Sequence, residues 1–269
     1  MKIGNKLFDT QHHTYVMGIL NVTPDSFSDG GCFDSIDRAL FHTEQMVKHG
    51  ASIIDAGGES TRPGYVPVTT EEEISRVCPV IEAIKERFDV PVSLDTYKSA
   101  VAEAGISSGA DMINDIWGLQ YDSRMAGLIA DAGVSVCLMH NRKTPDYTDF
   151  HAEWLAGVRH MIDTAKNAGI SDEKIILDPG IGFGKTYEHN LMALHDLPEL
   201  KRFGYPVLAA VSRKSVIGMT LSVPVSERMP GTIAVSVYAV MNGISFVRVH
   251  DVKENVEAIR MTEAILFAC

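Results

Sequence analysis

Long hydrophobic runs are absent from this 269-residue sequence. With glycine counted as apolar, no uninterrupted apolar run exceeds six residues. A bilayer-spanning helix needs about 20, so no membrane span is expected, and no signal-peptide apolar region follows Met1. Cysteine is scarce as well. Cys32, Cys78, Cys137 and Cys269 lie far apart with no CxxC pair, which argues against a disulfide frame or a zinc ribbon. A soluble protein of a reducing compartment, the cytoplasm, is the expectation. Basic charge is in deficit: 24 Lys and Arg against 35 Asp and Glu leave a net charge of −11. That disfavours nonspecific binding to nucleic acid or anionic membranes, although a local basic cluster could still hold phosphate. Several catalytic signatures are missing too: no HExxH, no GxSxG, no facial triad, and no GxGxxG after the first strand.

A hydrophobic content of 45% and a charged content of 22% are ordinary for a globular chain. The length suits one large domain or two small ones. Short β-branched or apolar runs recur at 14–21, 52–57, 91–96, 111–116, 135–140, 174–180, 206–212 and 245–250. Stretches with helical spacing separate them. Ser35 opens one that Gly50 closes. Thr70 to Glu73 is a capping-box candidate ahead of another. Residues 253–267 carry Val256, Ile259, Ile265 and Leu266, an amphipathic closing helix. Eight strands alternating with helices predict the α/β class and a (β/α)8 TIM barrel. No linker or composition break divides residues 1–269, so a single domain is expected. An open doubly wound sheet with an added lobe fits the regular spacing less well. The long connections 22–34, 58–69 and 141–149 all follow strand C-termini, where a barrel builds its active site.

A buried strand should be apolar along its length, yet these strands end in polar residues. The ends carry Asn21, Asp55, Asp95, Asn114 with Asp115, Asp178, and Ser212 followed by Arg213 and Lys214. The last strand carries Arg248 and His250. Alternation puts Arg248 with His250, Ser93 with Asp95, and Ile176 with Asp178 on shared faces. A lone strand-terminal aspartate is more often a helix cap or turn former, and Asp55 and Asp115 individually keep that reading. Six strands ending this way together point instead to one pocket.

Carboxylate and amide acceptors suit a flat heterocycle that presents several N–H donors. Lys214 can donate to a ring carbonyl, and Arg248 can stack on a ring or bind phosphate. Asn21, Arg62, Arg248 and His250 could hold an anionic leaving group. The run Gly180–Thr186 looks like a phosphate loop but lacks the GxxxxGK[ST] spacing. Its glycines are expected to bring backbone close to a ligand, with Phe183 as an apolar wall. His12 and His13 read as a mobile surface pair, and His42, His49 and His160 as solvated helix faces. His140 follows Met139, and whether it lines the pocket stays open. Trp117 and Trp154 show no aromatic partner pattern and read as packing residues.

The run Met17 to Gly31 (MGILNVTPDSFSDGG) resembles the first signature of the dihydropteroate synthase family, the folate-pathway enzymes. Ile54 to Gly64 (IDAGGESTRPG) resembles the second. Further matches are Asp95 to Lys98, Ile113 to Asp115, Asp178 to Lys185, Ser212 to Ser215, and Arg248 to Val252. The likeness runs from the first strand to the last helix, in long and ordered motifs.

The resemblance implies a pterin-binding barrel that condenses 7,8-dihydropterin-6-ylmethyl diphosphate with 4-aminobenzoate, giving 7,8-dihydropteroate and diphosphate. It implies that Asp95, Asn114, Asp178 and Lys214 hold the pterin deep in the barrel, with Met139 beside it. Arg248 would stack near the pterin and, with Asn21 and His250, meet the diphosphate. Asn21 would also ligate Mg²⁺. Thr61, Arg62 and Pro63 would lie in a mobile loop closing over the site. Phe183, Ser212 and Lys214 would border the aminobenzoate. Catalysis is thus expected from Asp95, Lys214, Arg248 and Asn21. The partners implied are these small molecules and a second copy in a homodimer. Both long loops, 22–34 and 58–69, are expected to order over bound ligand, and sulfonamides to compete with 4-aminobenzoate.

Two departures stand out. Ala209-Ala210-Val211 replace a run in which the family often has glycine. Asn141-Arg142-Lys143 follow His140 where Met-Gln-Gly is frequent, placing two extra positive charges near the barrel mouth. Two rival readings are a methyltetrahydrofolate–corrinoid methyltransferase, which needs no diphosphate site, and a non-catalytic pterin-binding paralogue, expected to lose the two signature loops.

Overall fold

Eight parallel strands form the centre of the computed structural model, which describes residues 1–23, 32–59 and 67–268. They are β3 (Tyr15–Asn21), β4 (Ile53–Gly57), β5 (Val92–Asp95), β6 (Met112–Asp115), β7 (Ser135–Met139), β8 (Ile175–Asp178), β9 (Leu208–Ala209) and β10 (Phe246–Val249). The hydrogen-bonded order is β8-β7-β6-β5-β4-β3-β10-β9. A single parallel bridge, Leu177 to Val207, joins the two ends and closes the ring. The expected single (β/α)8 barrel is therefore what the chain builds.

Helices connect the strands: α1 (Cys32–Lys48), α2 (Thr70–Arg87), α3 (Ser99–Ser107), α4 (Met125–Ala132), α5 (Phe150–Asn167), α6 (Tyr187–His195), α7 (Leu197–Lys201), α8 (Ser215–Leu221), α9 (Met229–Met241) and α10 (Val252–Leu266). The run 206–212 yields only the two-residue β9. The Lys214 N–H turns back to the Val211 carbonyl at 3.1 Å, and Arg213 adopts a positive φ of 57°. This turn ends the extended backbone early. Before helix α2 the cap is Thr69, not Thr70. Its hydroxyl accepts from the Glu72 N–H at 3.2 Å, while the Glu72 carboxylate turns to Arg76. Thr69→Ala should therefore lower stability by about 1 kcal/mol in urea unfolding. Thr70→Ala, by contrast, should leave the midpoint nearly unchanged.

The chain also makes an element that its sequence pattern does not announce. Strands β1 (Lys2–Ile3) and β2 (Lys6–Leu7) pair antiparallel ahead of the barrel. Gly4 turns between them with φ +57°, and a Cβ there would lie 2.5 Å from Asp111 Oδ1. The hairpin delivers Ile3 and Phe8 into an interior cluster with Met17, Ile53, Met112, Cys137, Ile176, Leu208 and Phe246. It thus plugs the barrel floor. A larger apolar layer fills the space between strands and helices.

The surface histidines and the tryptophans differ from expectation in detail. His12 and His13 are exposed, but Nδ1 of each meets a carboxylate, Asp9 at 2.9 Å and Glu263 at 3.3 Å. Both tryptophans have aromatic partners. Trp154 is buried, stacks on Phe150 with centroids 5.9 Å apart, and donates from Nε1 to the Pro179 carbonyl at 3.2 Å. Trp117 lies 6.1 Å from Tyr121. Among the described residues no helix is long and apolar enough to cross a membrane.

Candidate active site

The period-two pattern of the strands arranges the barrel interior in layers. Met17, Ile53, Met112, Cys137, Ile176, Leu208 and Phe246 form the apolar floor. Two residues further along the same faces come Ile19, Asp55, Asn114, Met139, Asp178, Ala210 and Arg248. The strand ends thus present a polar layer directly above an apolar one. A cavity of about 270 Å³ opens on that layer. Ten of the expected residues line it: Asn21, Asp95, Asn114, Met139, Asp178, Phe183, Ser212, Lys214, Arg248 and His250. Thr61, Arg62 and Pro63 lie outside the described residues, as do positions 24–31 of the first long loop.

Arg248 organises the deep end. Its Nη2 donates to Asp95 Oδ2 at 2.7 Å, and its Nε donates to Asp55 Oδ2. Asn114 Nδ2 donates to the same Asp55 oxygen at 3.2 Å. Asp55 is therefore neither cap nor turn former. It is completely buried and faces inward, in phase with Ile53. That phase was the sequence signal for it. Asp115 does keep the turn role, its two oxygens accepting from the Trp117 and Leu119 N–H groups at 2.8 and 2.7 Å. One oxygen of Asp95, Oδ1, is buried without a hydrogen-bond partner. Burial pushes the Asp95 carboxyl up to about 7, against the opposing pull of Arg248. An unmet acceptor of raised basicity is matched to a ligand N–H donor.

The other wall carries positive charge. Lys214 stands at the N-terminal boundary of α8, donates to the Ile181 carbonyl at 2.5 Å, and lies 4.8 Å from the centre of the Phe183 ring. Burial lowers its amine to about 8, with Asp178 opposing. Asp178 is buried and accepts from the Gly180 N–H at 2.7 Å. Burial raises its carboxyl, while Lys214 lowers it. At the mouth, Ser212 Oγ and His250 Nδ1 are 2.9 Å apart. Expectation assigned these two residues to separate substrate clusters. In the structure they touch, so any two subsites built on them share a boundary.

Glu59 and Arg228 also line the cavity, and neither stood out in the sequence. Glu59 is buried and accepts from Tyr97, Lys98 and the Val68 N–H at 2.7, 2.7 and 2.9 Å. No local spacing links those residues, so only the fold reveals the cluster. Arg228 donates to the Arg213 carbonyl at 2.9 Å and so supports the turn before Lys214.

His140 does not line the cavity. It points away from Met139, toward α5, where a Cβ on Gly157 would lie 2.7 Å from its ring. Burial, reinforced by Lys185 and Arg142, lowers its imidazole to about 3, so it is neutral. Arg142 likewise adds no free charge to the mouth. It pairs with Glu153 at 2.7 Å and sits 4.2 Å from the Tyr147 ring centre, pinning the 141–149 connection. Lys143 alone of that pair stays exposed.

The sequence pattern of the "Pterin binding enzyme" family matches residues 17–250. The chain belongs to the pterin-binding enzyme family. It is 56% identical over 267 residues to a dihydropteroate synthase of Clostridium beijerinckii, covering 99% of each chain. Among solved structures, a dihydropteroate synthase from Clostridium difficile in the presence of pteroic acid superposes with a TM-score of 0.93. It is 50% identical and covers 96% of this chain and 99% of that one. A Yersinia pestis dihydropteroate synthase in complex with a sulfonamide drug gives a TM-score of 0.92 at 45% identity. There 99% of this chain and 98% of that one are covered. The likeness extends over nearly the whole chain of this pterin-binding enzyme.

Proposed function

We propose that the cavity condenses 7,8-dihydropterin-6-ylmethyl diphosphate with 4-aminobenzoate, giving 7,8-dihydropteroate and diphosphate. One observation carries the reading: acceptors and donors converge around an apolar slot. Asp95, Asn114 and Asp178 supply acceptors, Lys214 a donor, and Ile116, Met139 and Phe183 the slot. A flat pterin offers N–H groups to the first set and a carbonyl to Lys214. The relative solved with pteroic acid, the condensed skeleton, supports this choice of ligand.

Departure of diphosphate leaves positive charge on the methylene and the pterin. The Asp95 carboxylate, held in place by Arg248, stabilises that charge without reorganising. Asn21 and His250 at the mouth, with the Arg248 guanidinium below them at the deep end, would meet the departing anion. The aniline nitrogen then attacks. An aniline is largely neutral at pH 7, so no strong base is needed.

Among the described residues no group of three or more His, Cys, Asp or Glu could hold a metal alone. Arg248 takes one oxygen each of Asp55 and Asp95, at the deep end of the cavity. The carboxamide of Asn21 remains as a neutral oxygen at the cavity wall. That donor set fits a Mg²⁺ carried mainly by the diphosphate, with Asn21 as its protein ligand. Such an ion would neutralise leaving-group charge. A homodimer is supported by exposed Met219, Tyr238, Met241, Met261 and Ile265 on α8, α9 and α10. The net charge of −11 supports small-molecule rather than nucleic-acid partners, and the free thiols of Cys78 and Cys137 suit the cytoplasm.

Diphosphate release, followed with and without 4-aminobenzoate, tests the reaction. Release coupled to dihydropteroate formation is expected. Cobalamin-dependent methyl transfer would favour the methyltransferase, and pterin binding without release the inert paralogue. Sulfonamides should inhibit competitively with 4-aminobenzoate. A pattern competitive only with the pterin would show that the Phe183–Ser212 side is not the aminobenzoate subsite.

A further inference from the structure

The loop Gly180–Lys185 carries a lysine that the reaction above does not use. Its amine points away from the cavity, into the protein. Lys185 Nζ lies 3.0 Å from the Gly180 carbonyl oxygen, 3.1 Å from that of Phe183 and 3.2 Å from that of His140. His140 Nδ1 is 3.1 Å away. An ammonium has three donors and no acceptor. Here every donor is spent on the loop's own carbonyls or on His140, and none is left for a phosphate.

The glycines make this convergence possible. Gly180 has φ +71°, and a Cβ there would lie 1.8 Å from the His140 carbonyl oxygen. Gly184 has φ +52°, and a Cβ there would lie 2.4 Å from the Arg142 carbonyl oxygen. Side chains at either position would push the carbonyls apart. From the same rear side, Asn190 Oδ1 accepts from the Gly182 N–H at 2.6 Å. Burial lowers the Lys185 amine to about 7, with Asp178 opposing. An amine so desolvated stays buried only where acceptors surround it.

The front of the same loop is the cavity wall. The Phe183 carbonyl binds Lys185 while its ring faces Lys214, and the Ile181 carbonyl accepts from Lys214. We propose that Lys185 is a positioning residue for the second substrate. Its amine gathers the carbonyls of residues 140, 180 and 183 and thereby sets the Phe183 ring as the wall against which an aminobenzoate-class amine docks. The identity of that substrate rests on the synthase reading. Of the groups assigned to the pterin, Asp95 and Asn114 stand on β5 and β6, while Asp178 and Lys214 adjoin the loop through the Gly180 N–H and the Ile181 carbonyl, so the pterin end should feel a change at Lys185 less than the aminobenzoate end.

The test is Lys185→Met, which keeps length and removes the donors. The KM for 4-aminobenzoate should rise about tenfold, because small displacements of a docking surface are costly. The KM for the pterin diphosphate should rise less, by no more than about threefold, because Asp95 and Asn114 keep their places. Amide exchange over 180–186 in the ligand-free variant should quicken, a readout independent of turnover. Wild-type diphosphate release in the same assay tests the synthase reading separately. If Lys185→Met does not fold, Lys185→Ala is assayed with ethylammonium, with tetramethylammonium as the control that lacks N–H donors. Ethylammonium alone should lower the 4-aminobenzoate KM again. Equal rises in both KM values, unchanged KM values with unchanged exchange, or equal effects of the two cations would overturn the proposal.

Discussion

Asp95→Asn should lower kcat/KM by about 10²–10³ while the barrel stays folded. The carboxylate sits at the end of β5 with one oxygen on Arg248 and the other buried without a partner. The amide keeps the shape but removes the charge that faces the developing cation. It also presents an NH₂ group where an acceptor is needed, either to the pterin or to Arg248. The loss should fall on kcat more than on KM, because the cationic character arises only on the way to the transition state. Steady-state kinetics on a variant with a wild-type unfolding profile provides the check. Near-normal kcat/KM would show that the charge of Asp95 is not what stabilises diphosphate departure.

Arg248→Met should be the most damaging single change, because it strikes both fold and reaction. The guanidinium is the shared partner of two buried carboxylates, Asp55 and Asp95. Removing one side of a buried ion pair typically costs about 3–5 kcal/mol, since the stranded charges cannot return to water. The cost should depend on pH, and the sign is determined. Burial already raises the Asp95 carboxyl above its ordinary value, and Arg248 opposes that rise. Without Arg248 the folded-state value climbs further, whereas the unfolded value stays near about 3.9. Between those values the folded state binds more protons than the unfolded one. Stability then falls as pH rises through the folded-state value. Urea unfolding should therefore show a larger deficit relative to wild type at pH 8 than at pH 5. A deficit that is flat with pH would mean that the stranded carboxylates do not bear the cost. Turnover should fall by at least about 10², in keeping with the loss of a preorganised charge at a leaving group.

Much of the site was legible along the chain because a strand reports its own facing. Met17 and Asn21 on β3, Ile176 and Asp178 on β8, and Phe246 and Arg248 on β10 keep one phase from apolar floor to polar rim. The same phase puts Asp55 inside with Ile53 and puts His140 opposite Met139. Reading each aspartate alone, as a cap or turn, misplaced Asp55. The count of eight units followed likewise from local runs, although β9 is shorter than its run because the turn at Arg213 interrupts it.

Pairing was decided elsewhere. Arg248 meets Asp55 and Asp95 across 193 and 153 residues, and Lys185 meets His140 across 45. No spacing rule reaches that far. The sequence by itself determined that a barrel forms, which strand ends are polar, and that the motifs belong to a pterin-binding enzyme. Only the closed barrel decided which charge faces which, that the N-terminal hairpin plugs the floor, and that the charge of Lys185 is spent inside its own loop. Alternation and apolar period are properties of a few consecutive residues. A buried charge takes its partner from whatever the chain brings within hydrogen-bond reach once water is excluded.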